Sequence, residues 1–313
     1  MGRGMTLGVI GLLFGLVGVM ALAAGLYTPD KPRAQLEADY ATPPSKFVWA
    51  GGMRLHVRET GPAAGPAVIM LHGFGSSLFT WEAWSAGLSD AYRVIRFDLP
   101  GFGLTGPDPT GDYSDARGLQ VLTALMEVLS VETAALIGNS LGGKWAWMFA
   151  AENPRCVSKL ILVAPDGFAT SLFRYGQKNK APLVARLLPY ALPNFLVRRI
   201  LAAAFGDPAA LTNAMIERYR DMMRAPGNRG ATLARMEQID VERPDALLAA
   251  IKAPTLLVWG DKDMLIPIGN LSHYLALIPG GRSVVFPDLG HLPQEEAPVQ
   301  SLAPVRAFLD RSI

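Results

Sequence analysis

A single cysteine, Cys156, stands among 313 residues, so no disulfide can form within the chain. Lying beside an apolar run, it reads as a small buried side chain. Histidine is almost as scarce, and His56, His72, His273 and His291 are the full set. No grouping of these with Cys, Asp or Glu has the spacing of a metal site, so neither a metal nor another cofactor is expected. Charge is thin as well. Charged residues make up 18% of the chain, against about 25% in ordinary soluble domains. The net charge of +2 is too small to indicate a nucleic-acid partner.

What the chain does have is apolar residues, half of the total, and one long uncharged run, Leu7–Leu26. At ~1.5 Å per helical residue this run spans ~30 Å, the thickness of a bilayer's hydrocarbon core. It is longer than the ~7–15 apolar residues of a cleaved signal. Residues 1–27 are therefore expected to be a single-pass membrane anchor. The alternative is a signal cut near Ala21-Leu22-Ala23, which would release the protein to the periplasm or outside. Residues 28–45 carry Pro29, Pro32, Pro43 and Pro44 among polar residues and read as a linker. Residues 46–313 then form the main domain.

Within that domain strands and helices alternate. Phe47–Trp49 and Met53–Arg58, joined through Gly51-Gly52, read as a hairpin. In the second strand His56 alternates with Leu55 and Val57, which places it on an outer face. Ala67–Leu71 is a continuous apolar strand running into His72-Gly73-Phe74-Gly75-Ser76-Ser77, a loop able to turn backbone N–H groups toward an anion. Further strands are expected at Tyr92–Phe97, Thr133–Ile137, Val157–Val163, Pro254–Trp259 and Ser283–Phe286. Helical spacing marks Trp81–Leu88, Ala116–Leu129, Leu141–Asn153 and Leu271–Ile278. The last helix holds Leu302, Val305, Phe308 and Leu309, with Pro304 awkwardly inside it. Such alternation predicts an α/β fold: a mainly parallel sheet with helices on both faces. Ligands of such sheets bind beyond the carboxyl ends of the strands.

The alternation stops from about residue 170 to 245, which reads as a helical cap inserted before the last two strands. Residues 170–240 hold eleven Lys and Arg against five Asp and Glu, a net +6 that leaves about −4 elsewhere. Two readings stand side by side: a solvated helical face, or a surface turned toward anionic lipid.

The chemistry gathers at Gly138-Asn139-Ser140-Leu141-Gly142-Gly143. A strand, a tight Gly-x-Ser-x-Gly turn and a helix follow in succession, the context that presents a nucleophilic serine above a sheet. The first N–H groups of the helix have no partner within it and can hold an oxyanion. Ser140 needs a base and a carboxylate to orient that base. By elimination the base is His291, behind Gly290 and after the last strand. Asp263 and Asp166 both follow strands and could orient it, and Asp263 fits better.

The order Ser140, Asp263, His291 resembles that of the α/β-hydrolase family. His72-Gly73-Phe74-Gly75, Asp98-Leu99-Pro100-Gly101-Phe102-Gly103, Trp259-Gly260-Asp261-Lys262-Asp263 and Gly290-His291 look like that family's landmarks. The resemblance covers roughly Phe47 to Ile313. It implies an oxyanion hole formed by the backbone N–H groups of Phe74 and Leu141. Bacterial esterases, anchored monoacylglycerol-lipase-like enzymes and carbon–carbon bond hydrolases are similar to this chain. A serine at the elbow argues against the dehalogenase and epoxide-hydrolase branches, which use aspartate. Members of the carbon–carbon group often carry Trp after the catalytic His, where Leu292 stands here. On this reading the chain hydrolyses carboxylic esters with a mainly apolar acyl group, from a small-molecule or lipid substrate, with the membrane as partner through its N-terminal run. Carbon–carbon hydrolysis of ring-cleavage products and cofactor-free peroxidase chemistry are the alternatives on the same triad. Lys144, an early cation in the helix after Ser140, departs from expectation.

Overall fold

A computed structural model of the chain describes residues 25–169, 174–177 and 180–311. Eight strands form one sheet: β1 (Ser45–Ala50), β2 (Met53–Thr60), β3 (Ala67–Leu71), β4 (Arg93–Phe97), β5 (Ala134–Asn139), β6 (Val157–Val163), β7 (Thr255–Gly260) and β8 (Arg282–Phe286). Their spatial order is β1-β2-β4-β3-β5-β6-β7-β8. β1 and β2 form the expected hairpin, and β2 also runs antiparallel to β4. All other neighbours are parallel. The central strands are buried on both faces, which is why they read as unbroken apolar runs rather than alternating ones.

Side chains alternate across the sheet into two cores. Ile69, Leu71 and Leu136 point to one face, where Trp145 and Phe149 of the helix after Ser140 and Leu122 of the preceding helix cover them. Val68, Met70 and Ile137 point to the other, under Trp81, Trp84 and Phe308. The terminal helix Pro298–Leu309 starts on one proline and accommodates Pro304 inside.

Two expectations change here. Residues 28–45 are not a free linker. Pro32 opens a helix, α1 (Arg33–Tyr40), whose Leu36 is fully buried among Leu78, Leu104 and Met222. The prolines bound this helix instead of forbidding one. His56 is not on an open face either. It is fully buried, with Nδ1 2.8 Å from Asp98 Oδ2 and Nε2 2.9 Å from Ser45 Oγ. Its face of β2 lies against Phe47 and Phe79, so alternation there does not mean exposure.

Most of the Leu7–Leu26 run, expected as an anchor, lies outside the described residues. Among the described residues no helix is long and apolar enough to cross a membrane.

Between β6 and β7 lie the cap helices α5 (Asn194–Ala202), α6 (Asn213–Met223) and α7 (Asn228–Gln238), counted after α2 (Glu82–Ala86), α3 (Asp115–Val128) and α4 (Leu141–Glu152). The cap has its own core of Leu192, Val197, Leu201, Phe205 and Ile216. Leu292, the residue after His291, packs into that cap core.

Candidate active site

Ser140 sits between β5 and α4 with φ +53° and ψ −118°. A non-glycine residue held there costs about 1–3 kcal/mol, so the surroundings must impose it. They do so through backbone bonds: Ser140 N–H donates to Val163 O at 3.1 Å, and Ser140 O accepts from the N–H groups of Lys144 and Asp166. The flanking glycines are required by space. A Cβ on Gly138 would stand 2.3 Å from Gly142 O, and one on Gly142 would stand 2.3 Å from Leu71 O.

His291 Nδ1 lies 2.7 Å from Asp263 Oδ2. The other carboxylate oxygen of Asp263 accepts from the N–H groups of Leu265 and Ile266, at 2.8 and 2.9 Å. The carboxylate is thus held on both oxygens and is shut off from water. Asp166, the alternative partner, contributes instead to the elbow. Its N–H bonds Ser140 O, its carboxyl accepts only the neighbouring Gly167 N–H among the described residues, and its carbonyl takes Trp147 and Tyr274. Burial pushes the Asp166 carboxyl above the usual range.

Asn139 links the Ser140 turn to the His291 loop. Its side-chain amide donates to Val163 O and to His291 O, each at 3.1 Å. One amide therefore ties the ends of β5 and β6 to the loop that carries the histidine. The only sequence signal was its position inside the Gly-x-Ser-x-Gly turn.

The His72–Ser77 loop lies against the elbow. A Cβ on Gly73 would fall 3.2 Å from Ser140 Cβ. His72 Nε2 accepts the Leu99 N–H at 2.9 Å, so the proton sits on Nδ1, which donates to Gly73 O at 2.8 Å. Burial holds this imidazole below its ordinary value, against the pull of Asp98. Ser76 N–H also donates to Gly73 O. With that carbonyl turned into the loop, the trans peptide aims the Phe74 N–H the opposite way. Leu141, whose N–H is the other expected donor, is the first residue of α4. Phe74 itself stacks edge-on against Phe102, with centroids 5.5 Å apart.

Lys144 is buried with its charge paired. Its ammonium is 2.7 Å from Asp115 Oδ2 and donates to Asp240 O at 3.1 Å. Asp115 also receives Arg235 and Trp145 Nε1. Burial would raise the Asp115 carboxyl, but Lys144 and Arg235 hold it below the usual range. The lysine is thus a buried link between α3, α4 and the cap. Among the described residues, no three Cys, His, Asp or Glu side chains are grouped to hold a metal.

The cap meets the His291 loop through that residue and those after it. His291 N–H donates to Ala204 O at 2.7 Å. Glu296 accepts the N–H groups of Gly206, Asp207 and Gly290. Glu295 takes Tyr219 OH at 2.6 Å and pairs with Arg218, while Ser76 Oγ donates to the same tyrosine at 3.2 Å.

A model of the alpha/beta hydrolase fold matches residues 66–298. The chain belongs to the α/β-hydrolase family. It is 32% identical over 268 residues to a 2-hydroxy-6-oxononadienedioate/2-hydroxy-6-oxononatrienedioate hydrolase of Comamonas testosteroni, covering 80% of this chain and 91% of that one. A 2-hydroxy-6-oxo-6-phenylhexa-2,4-dienoate hydrolase of Burkholderia cepacia is 30% identical with the same coverage. Among solved structures, a bacterial membrane phospholipase A matches with TM-score 0.74 and 25% identity over 98% of both chains. A meta-cleavage product hydrolase of Pseudomonas fluorescens matches with the same score and identity, over 85% of this α/β hydrolase and 97% of that chain.

Proposed function

We propose that this α/β hydrolase uses Ser140 to attack a carbonyl carbon, and that the bond it breaks is the carbon–carbon bond of a conjugated, enol-bearing diketone. The observation that carries the first part is the hydrogen-bonded His291–Asp263 pair, tied by Asn139 to the strained Ser140 turn. His291 takes the Ser140 proton, Asp263 holds the ring in the tautomer that can accept it, and the N–H groups of Phe74 and Leu141 receive the oxyanion. The second part rests on the relatives from Comamonas and Burkholderia, both hydrolases of such dienoates. Carbon leaves only as a stabilised carbanion, so conjugation in the substrate supplies what an ester supplies as an alkoxide. His291 then returns its proton toward the departing fragment and activates the water that frees Ser140.

Ester hydrolysis, the expectation from sequence, is the second reading. Two observations favour it: Leu292 follows the histidine and packs into the cap, and the phospholipase resemblance runs the length of both chains. The test is a direct comparison of kcat/KM on 2-hydroxy-6-oxo-6-phenylhexa-2,4-dienoate and on a series of 4-nitrophenyl esters. A larger value on the dienoate is the expected result, and a larger value on any ester reverses the order of the two readings.

A further inference from the structure

We propose that cap residues 183–200 form a membrane-contact surface that rests in the headgroup region of an anionic bilayer. Three independent features meet there. The first is exposed apolar area: Leu183, Val184, Leu187, Tyr190, Phe195 and Ile200 are each between 51% and 79% exposed. α5 buries Val197 and Leu201 inward, so its exposed Phe195 and Ile200 are not what holds it to the cap. Contiguous apolar residues on that scale mark a contact surface.

The second feature is charge. From Gly167 to Gly206 the chain contains no acidic residue and six cations. Four of the other cap arginines are consumed inside the protein: Arg218 by Glu295, Arg224 by Asp221, Arg229 by Asp30 and Arg235 by Asp115. Arg186, 4.0 Å from Glu237, together with Arg198 and Arg199 stays exposed within the apolar stretch itself, and Arg174 and Lys180 are exposed just before it. Apolar side chains with interleaved cations suit a lipid interface, where arginine heads reach phosphates while their stems stay among acyl chains. A second copy fits less well, because a symmetric contact would press these cations against themselves.

The third feature is where the N-terminal run arrives. Leu7–Leu26 is uncharged, and its end is fixed on this surface. Tyr27 forms a β-bridge with Ala191, Thr28 N–H donates to Tyr190 O at 2.8 Å, and Leu192 N–H donates to Thr28 Oγ1 at 3.1 Å. Leu26 and Tyr27 are exposed beside Tyr190. The residues that follow are not slack. Lys31 pairs with Asp221 at 2.7 Å, and Arg33 donates to Leu104 O at 2.9 Å. Any bilayer that takes up the uncharged run therefore meets residues 183–200 next. The inference is independent of which bond the enzyme breaks.

The test uses the full-length chain in phosphatidylcholine vesicles containing phosphatidylglycerol. A nitroxide is placed on Cys at Leu187, at Phe195, or at the still more exposed Val299 of the last helix, in a Cys156→Ser background. Turnover in solution confirms that each variant is folded. Collisional relaxation by oxygen and by a water-soluble nickel chelate should favour oxygen severalfold more at 187 and 195 than at 299. Arg198→Glu with Arg199→Glu should reduce that ratio. Equal, water-like relaxation at all three sites overturns the proposal. Shielding of 187 and 195 from both agents also overturns it, since the surface is then covered by the chain's own N-terminal run or, if dipolar broadening appears, by a second copy. An unchanged ratio in the double arginine variant removes the anionic-lipid component.

Discussion

Ser140 combines positive φ with a space that excludes any side chain on either flanking glycine, so its hydroxyl cannot be relocated by repacking. Ser140→Ala should lower kcat by several orders of magnitude, with the triad of a serine protease as the scale. Asp263→Asn should reduce kcat roughly 10⁴-fold by removing the acceptor that fixes the His291 tautomer. Asp166→Asn, with no bond to the histidine, should cost far less, and steady-state kinetics on the preferred substrate decides between them. His72 provides a pH test. Its imidazole is neutral when folded and lies below the ordinary 6.5, so the unfolded chain binds a proton first as the medium is acidified. Stability from this group is complete above about pH 6.5 and declines below it. Urea midpoints measured from pH 8 to 5.5 should fall at the acid end, and should fall less in His72→Gln. Asp98, held down by His56 and the Leu78 N–H against the upward push of burial, loses its contribution only in a separate, lower window. At this scale the turn at Ser140 and the pairing of His291 with Asp263 were legible because each of these residues carries a local signal, a glycine frame or a strand end. Asn139 and Lys144 were not, because their partners lie 152 and 96 residues away.

Among the elements, the sheet was readable and α1 was not. A buried parallel strand needs an unbroken apolar run, and β3, β5 and β7 supply one. Helix α1 buries a single leucine and is enclosed by prolines, so no amphipathic stripe announces it. Its stability comes from partners elsewhere: Lys31 and Tyr40 on Asp221, Arg54 on Glu37 and Leu36 under Met222. Leu36→Ala should destabilise the protein by about 2–5 kcal/mol, as for other fully buried leucines. A chain beginning at Pro44 should melt well below the full-length protein in calorimetry. An unchanged midpoint would return residues 28–45 to the status of a linker.

For the whole molecule, the net charge of the cap misled as a total. Much of the +6 is spent on contacts with Pro29 and Asp30, the α3–α4 cluster and the residues after His291. Those contacts span long sequence separations and have no local signature. The cap also meets the loop that carries His291, through Glu296 and Ala204. Glu296→Ala should therefore raise hydrogen exchange at 204–207 and 290–292 together, while amides of β5 and β7 remain protected. Faster exchange in only one of the two segments would show that cap and histidine loop move separately.

The bridge between Tyr27 and Ala191 also sets a load path. Tension applied at the chain's start reaches the cap before it reaches the sheet. It would peel Thr28 away from Tyr190 and Leu192 one bond at a time, whereas the parallel ladders of β3 to β8 are loaded together. A pulling experiment with single molecules should record residues 27–40 and the cap yielding first, at low force, and the sheet breaking later in one larger step. Pulled from its N-terminal end, the protein would yield first where it is held most weakly.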